Sequence, residues 1–344
     1  MEQVVTFGEI MLRLSPPGRQ RIRQTHSLEV TFGGAEANVA AGVAGFGVPA
    51  AFVTRLPDNE VAEACIRHLR SFGVDTSFIL RGGDRIGIYF LEIGSVMRPS
   101  VVLYDRAGSS FATVCGGMFD WDAIFAGKGW FHWTGITPAI GPGPAGAVKE
   151  ACTRAKDLGL TVSCDLNYRR KLWAWTNNPS EVMTELASMA DVMICNEEDA
   201  QMVFGISPAE GDVESGVIHP RAYRSVAEGL CARFPRLRTV AVTLRGSVNA
   251  DHNRWSAVLW HEGQFFEGPS YDITHIVDRV GAGDAFGSGL IFSRLRWPDS
   301  PEKWLRFATA ASALKHTIPG DFAVISAAEV EKVMAGAVSG RVNR

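Results

Sequence analysis

Apolar positions along this chain of 344 residues switch repeatedly between two periods. Short, mostly apolar runs at Val4–Phe7, Ala51–Thr54, Trp130–Trp133, Leu160–Asp165, Val192–Cys195 and Thr239–Thr243 predict strands buried on both faces. Between them the spacing lengthens. Helices are predicted over Ala35–Phe46, Asn59–Phe72, Pro144–Leu158, Pro179–Ala190, Glu197–Phe204 and Arg221–Arg233, with Gly47 and Gly73 as stops after the first two. A strand–helix alternation of this kind implies an α/β protein, a mostly parallel sheet with helices on both faces. Further on, Ala257–Trp260 and Gln264–Glu267 read as a hairpin, and Gly283–Leu295, Pro301–His316 and Ala327–Ala335 as helices.

Two segments break the rhythm. Leu12–Phe32 and Ile86–Phe111 are strand-prone, carry turn residues at Pro16-Pro17-Gly18 and Arg98-Pro99, and contain no helical period. Without helical crossovers they cannot join a parallel sheet, so a small antiparallel sheet projecting as a lid is expected. The expected division is a body of residues 1–11, 33–85 and 112–344, and a β lid of residues 12–32 and 86–111. Unpaired lid edges would suit a second subunit, so a homodimer or larger homo-oligomer through the lid is expected.

Composition narrows the class. Hydrophobic residues make up 46% and charged residues 21%, enough apolar surface for a sizeable core. Lys+Arg number 34 against 37 Asp+Glu, a net charge of −3, and no basic stripe marks a nucleic-acid binder. The six cysteines form no C-x-x-C pair and no zinc spacing, and read as reduced, semi-buried side chains. No basic and apolar leader opens the sequence, and no apolar run is long enough to span a bilayer. A cytoplasmic protein without membrane contact is expected.

The sharpest chemical signal is Asp278-Arg279-Val280-Gly281-Ala282-Gly283-Asp284. A β run ends, two glycines bracket an alanine, and an acid opens a helix. Such glycines present backbone N–H groups unobstructed, and the helix adds its free donors and positive dipole end, an anion site. Asp284 would repel an anion; it makes sense instead as a general base taking a proton from an attacking hydroxyl. No G-x-x-x-x-G-K-[ST] occurs, which excludes a P-loop, and helical Pro301–His316 follows where a dinucleotide fold would place its next strand.

Asp278–Asp284 resembles the signature D-[TR]-x-G-A-G-D of the PfkB (ribokinase-like) carbohydrate kinases. Gly33-Gly34-Ala35-Glu36-Ala37-Asn38-Val39-Ala40 resembles their N-terminal signature, G-G-x-x-x-N-x-A. The resemblance covers nearly the whole chain. It implies a three-layer αβα body with a β lid, ATP-dependent phosphorylation of a hydroxyl, Asp284 as catalytic base and Gly281, Ala282 and Gly283 at the transferring phosphate. It also implies sugar contacts from Gly33, Gly34, Asn38, Tyr89 and Asp321. Asn196-Glu197-Glu198-Asp199 resembles the family's N-x-x-E motif, tied to Mg²⁺ through water; here Asp stands at 199 beside Glu198, and either could organise the metal shell. Thr243-Leu244-Arg245-Gly246 resembles the nucleotide-binding T-x-G, with the glycine displaced to 246; Asn167 is placed with it near ATP. Asp278 and the Val280 carbonyl resemble a monovalent-cation site, implying K⁺.

Within the family, Tyr104-Asp105-Arg106, Asp165–Trp173 and Leu314–Asp321 resemble the branch acting on 2-keto-3-deoxygluconate. A sugar acid carries a carboxylate, which the planar fork of arginine matches. Arg106 in the lid and Arg169 after a strand end are therefore expected to meet at the sugar. The expected reaction is phosphorylation of the acid's terminal hydroxyl to a 6-phosphate. A fructose, ribose or nucleoside kinase of the same family, or a sugar-acid sensor without turnover, are the alternatives.

Overall fold

The computed structural model describes residues 2–196, 198–208 and 220–336. Fourteen strands run in chain order among these residues: β1 Gln3–Phe7, β2 Met11–Ser15, β3 Glu29–Gly33, β4 Ala50–Leu56, β5 Ile79–Arg81, β6 Gly87–Glu92, β7 Val101–Asp105, β8 Lys128–Thr134, β9 Thr161–Asp165, β10 Val192–Asn196, β11 Thr239–Asn249, β12 His252–His261, β13 Gln264–Glu267 and β14 Tyr271–Ile273. The main sheet has the order β13-β12-β11-β10-β9-β8-β1-β4-β5, with β14 on β12. From β5 across to β11 every pairing is parallel; β12, β13 and β14 add antiparallel edges.

Side chains alternate across this sheet and feed a core on each face. Val5, Phe7, Ala51 and Val53 pack with Trp133, Val148 and Leu186 on one side. Their neighbours Val4, Ala50 and Phe52 pack with Phe286, Leu290 and Phe307 on the other. Period-two alternation between two apolar layers is why these strands read as continuous apolar runs. The chain is thus a three-layer α/β protein.

A second sheet, β3-β2-β6-β7, stands apart and draws on both helix-free segments. Its pairs are antiparallel except β2 with β6, which run parallel. On one face Met11, Tyr89 and Leu91 are buried; Val30, Leu103 and Tyr104 are exposed.

Two features depart from the reading of the sequence. β11 runs on past Thr243 to Asn249 and turns into β12, because the polar segment from Arg245 is held by ladder pairing with Trp255–His252 rather than by burial. The helix expected to open at Glu197, a residue outside the described ones, spans Asp199–Phe204. No helix among the described residues is long and apolar enough to cross a membrane.

Candidate active site

Strand order reverses at β1, which has β4 on one side and β8 on the other, and ligands of open α/β sheets bind beyond the strand C-termini near such a point. A cavity of about 490 Å³ lies there, between the strand ends and the second sheet. Asp284, Gly283, Asn38, Tyr104, Arg169 and Asn196 are among the residues lining it.

Asp284 stands in the first turn of the helix Ala282–Arg296. Gly281 caps that helix with φ +82°, and a Cβ there would lie 2.0 Å from the Asp321 carbonyl oxygen, so only glycine fits. The Ala282 N–H turns back to the Arg279 carbonyl at 3.3 Å. The remaining first-turn donors, on Gly283 and Asp284, have no carbonyl within the helix to reach and are open to an anion, whereas the Ala282 N–H is already directed at a carbonyl. Burial pushes the Asp284 carboxyl up to about 6; the hydrogen bond from Asn38 and the nearby charges of Arg169 and Lys315 oppose this, while Asp321 adds to it. Asn38 Nδ2 donates to Asp284 Oδ2 at 2.6 Å, which leaves Oδ1 to accept a proton. A carboxylate poised near neutrality beside free N–H donors can run base-assisted group transfer.

Gly33 and Gly34 also line the cavity, where Gly33 runs against the Asp321 carboxylate and Gly34 against the Glu9 carbonyl, with no room for a Cβ in either place. The Asn38 side chain accepts the Gly34 N–H at 3.2 Å, so one amide ties this turn to Asp284. Asp321 reaches the cavity wall, but its carboxylate is engaged: Arg13 Nη1 donates to Oδ1 at 2.6 Å and the Tyr89 hydroxyl donates to Oδ2 at 2.6 Å. Tyr89 is correspondingly buried, whereas Tyr104 beside it, 6.1 Å between ring centroids, is half exposed to the cavity.

The two arginines differ. Arg169 lines the cavity, its Nη1 donates to the Tyr168 carbonyl at 3.1 Å, and its charge partly offsets the upward shifts of Asp165, Asp199 and Asp284. Arg106 is not among the lining residues. Its Nε and Nη2 donate to Glu9 Oε2, its guanidinium sits over the Tyr104 ring, and Ser109 donates to the other Glu9 oxygen. Only Nη1 of Arg106 is left over from Glu9.

At the ends of β9 and β10, Asp165, Asn167, Asn196 and Asp199 form one polar wall. Asn167 takes a left-handed conformation, φ +36°, with its N–H on Asp165 Oδ1. Asp199 is buried and accepts the N–H groups of Asn196 and Tyr168 at 3.0 and 3.1 Å. Glu198 is exposed and outside the lining, whereas Asp199 is buried and lines the cavity. Burial raises the carboxyls of both Asp165 and Asp199, with the charges of Asp199 and Asp284 adding to the rise at Asp165 and that of Glu198 to the rise at Asp199. Thr243 lines the cavity; Gly246 does not, because β11 continues through it and pairs it with Arg254.

The pfkB family carbohydrate kinase pattern matches residues 1–324. The chain belongs to that family. It is 34% identical over 338 residues to the 2-dehydro-3-deoxygalactonokinase of Haloferax volcanii, covering 98% of each chain. Its structure is similar to the 2-dehydro-3-deoxygluconokinase of Thermotoga maritima, with TM-score 0.91 and 49% identity over 98% of this chain and 100% of the other. A fructokinase of Xylella fastidiosa with bound ATP shares the fold, with TM-score 0.78 at 22% identity, over 97% of this chain and 98% of the other. The protein is a sugar kinase.

In this carbohydrate kinase the residues expected to hold K⁺ do not fit that ion. Asp278 Oδ2 accepts from Arg13 Nη2 at 2.5 Å and from the Gly320 N–H at 3.1 Å, and Oδ1 accepts the Val280 N–H at 3.0 Å. The Asp278 carbonyl accepts from the Lys315 ammonium. Reasoning from the sequence did not single out Arg13, and it met Lys315 only within Leu314–Asp321, as a residue closing a helix. Arg13 alternates in a strand of the second sheet like any surface residue, and Lys315 reads as an ordinary basic residue at a helix C-terminus. Among the described residues no three or more His, Cys, Asp or Glu side chains gather to hold a metal by themselves.

Proposed function

We propose that this kinase transfers the γ-phosphoryl group of ATP to the terminal hydroxyl of a 2-keto-3-deoxy sugar acid, 2-keto-3-deoxygluconate first, forming the 6-phosphate. The observation that carries the reading is Asp284, poised near neutrality at a glycine-capped helix start within one cavity with Arg169. The names of the two kinases similar over nearly the whole chain support the acid substrate.

In this reading the substrate's terminal oxygen bonds to the γ-phosphorus while the bond from that phosphorus to the β,γ-bridging oxygen breaks and ADP leaves. The hydroxyl proton passes to Asp284 Oδ1. The N–H groups of Gly283 and Asp284 hold charge on the transferring group, and Gly281 sets their direction. Asn38 orients the base, while Gly33, Gly34, Tyr89, Tyr104 and Asp321 shape the sugar side. Arg169 meets the substrate carboxylate, with Nη1 of Arg106 as a second arm from behind Tyr104. Asn167, Asn196 and Thr243 lie toward ATP.

Mg²⁺ bound with the nucleotide would neutralise phosphate charge. Asp165, Asn196 and Asp199 fit it through water, since two buried carboxyls that repel each other gain from a nearby cation. Segments 12–32 and 86–111 act as the lid over the body, and its exposed face at Val30 and Leu103 is where a second copy would sit. The six cysteines form no disulfide, which suits a reducing cytoplasm.

The test is ADP release from Mg·ATP with 2-keto-3-deoxygluconate, its galactonate epimer, fructose, ribose and adenosine. Preference for the keto-deoxy acids supports the reading. Preference for a neutral sugar leaves Asp284 as base and removes the arginines from the carboxylate. Silence with every substrate favours a sensor.

A further inference from the structure

The loop leading into the anion donors, 278–281, is held against the loop 316–321 after the last long helix. Val277 and Asp278 donate their N–H groups to the His316 carbonyl, and Gly320 donates to Asp278 Oδ2. Between the two loops lies the ammonium of Lys315, the last residue of the helix Pro301–Lys315. Lys315 is 0% exposed. Its Nζ donates to the carbonyls of Ile318 at 3.1 Å and Asp278 at 3.4 Å, one from each loop.

Burying an ammonium is costly unless negative groups surround it. Here burial depresses Lys315, and the carboxylates of Asp278, Asp321 and Asp284 oppose that, with Arg13 as the one cation working against them. Two backbone carbonyls and the negative end of a helix complete the environment. Carbonyl ligands, nearby carboxylates and no bulk water are what a dehydrated monovalent cation requires. An ammonium resembles K⁺ in charge and size.

We propose that Lys315 is a resident cation: its ammonium takes the place of a monovalent metal ion, holds the 278–281 loop in its anion-binding form, and makes turnover independent of K⁺. Lys315 is a positioning residue, acting through the loop rather than on the substrate. The inference rests on the kinase reading only for its activity measurements.

The experiment compares the wild type and Lys315→Met in buffers where KCl is replaced by choline chloride at equal ionic strength, with 2-keto-3-deoxygluconate and Mg·ATP. Wild-type kcat and the KM for ATP are expected to agree within about twofold between the salts, and the melting temperature of the protein alone to be the same in both. Lys315→Met is expected to lose at least about tenfold in kcat in choline and to regain part of it, with a higher melting temperature, in KCl or NH₄Cl. Activation of the wild type by K⁺ beyond about fivefold overturns the proposal, as does a folded Lys315→Met with wild-type turnover in choline. If Lys315→Met does not fold, the wild-type salt comparison decides alone. Absence of turnover with any sugar acid in any salt counts against the substrate reading, and the melting temperatures then decide this one: a wild type stabilised by K⁺ over choline overturns it.

Discussion

Asn38 Nδ2 and Asp284 Oδ2 meet at 2.6 Å across 246 positions of sequence, and the same Asn38 side chain accepts the Gly34 N–H. The two glycine-containing motifs of the chain are therefore joined, with a single amide fixing the Gly33–Gly34 turn and holding the Asp284 carboxylate. Asp284→Asn keeps the size and the contact to Asn38 but cannot take a proton. Its kcat is expected to fall by about 10³ or more, with the KM for ATP nearly unchanged, in steady-state ADP release. Near wild-type kcat would remove Asp284 from the base role.

As a base Asp284 would work only when ionised, and burial pushes its carboxyl up to about 6. The kcat/KM is expected to rise tenfold per pH unit below that value and level off above it. Asn38 favours the charged form, so Asn38→Ala should move the acid limb to higher pH by about one unit. A limb that stays in place would show that another group controls it.

Arg169 lines the cavity, whereas Arg106 is held in an ion pair by Glu9 and lies outside the lining. Arg169→Ala should raise the KM for keto-deoxy acids by about tenfold or more, and Arg106→Ala by less, with no change for fructose. Equal losses on the neutral sugar would refute the carboxylate role.

Arg13 joins a lid strand to two loops of the body through buried ion pairs with Asp278 and Asp321. Arg13→Met leaves both carboxylates without their partner and should cost about 3–5 kcal/mol in urea unfolding. A loss below about 1 kcal/mol would mean that the pairs are easily replaced by water.

Glu36 accepts three bonds on Oε1, from the Thr134 N–H and the hydroxyls of Thr134 and Thr137, and burial raises its carboxyl from 4.5 to about 7. The folded state thus holds this proton more tightly than the unfolded chain. The Glu36 contribution to stability is present below pH 4.5 and is lost as pH rises to about 7. Glu36→Gln should remove that decline, raising stability at pH 8 by up to about 3 kcal/mol and leaving it little changed at pH 4. Parallel thermal melts across this range check it; an unchanged slope would exclude Glu36 as its source.

The strands, most helices, the helix-free segments of the second sheet and both glycine motifs were legible because each is written in neighbouring residues. Apolar period reports which faces are buried, and a glycine pair before an acid reports a tight turn into a helix. The exposed β11–β12 hairpin was not legible, since backbone pairing and not burial forms it. Nor were the partners of the charged groups. Nothing local to Arg13 points to Asp278 and Asp321, nothing near Arg106 points to Glu9, and nothing near Lys315 shows that its ammonium lies between two loops. Charge pairing depends on which side chains the fold brings within a few ångströms, and a buried charge must find such a partner wherever in the chain it lies. The sequence by itself determined the layers and the glycine turns, and placed an acid at the start of the helix after them. Only the tertiary structure decided which carboxylates are already committed, which arginine remains open to a substrate, and that the place expected for a metal ion holds a lysine.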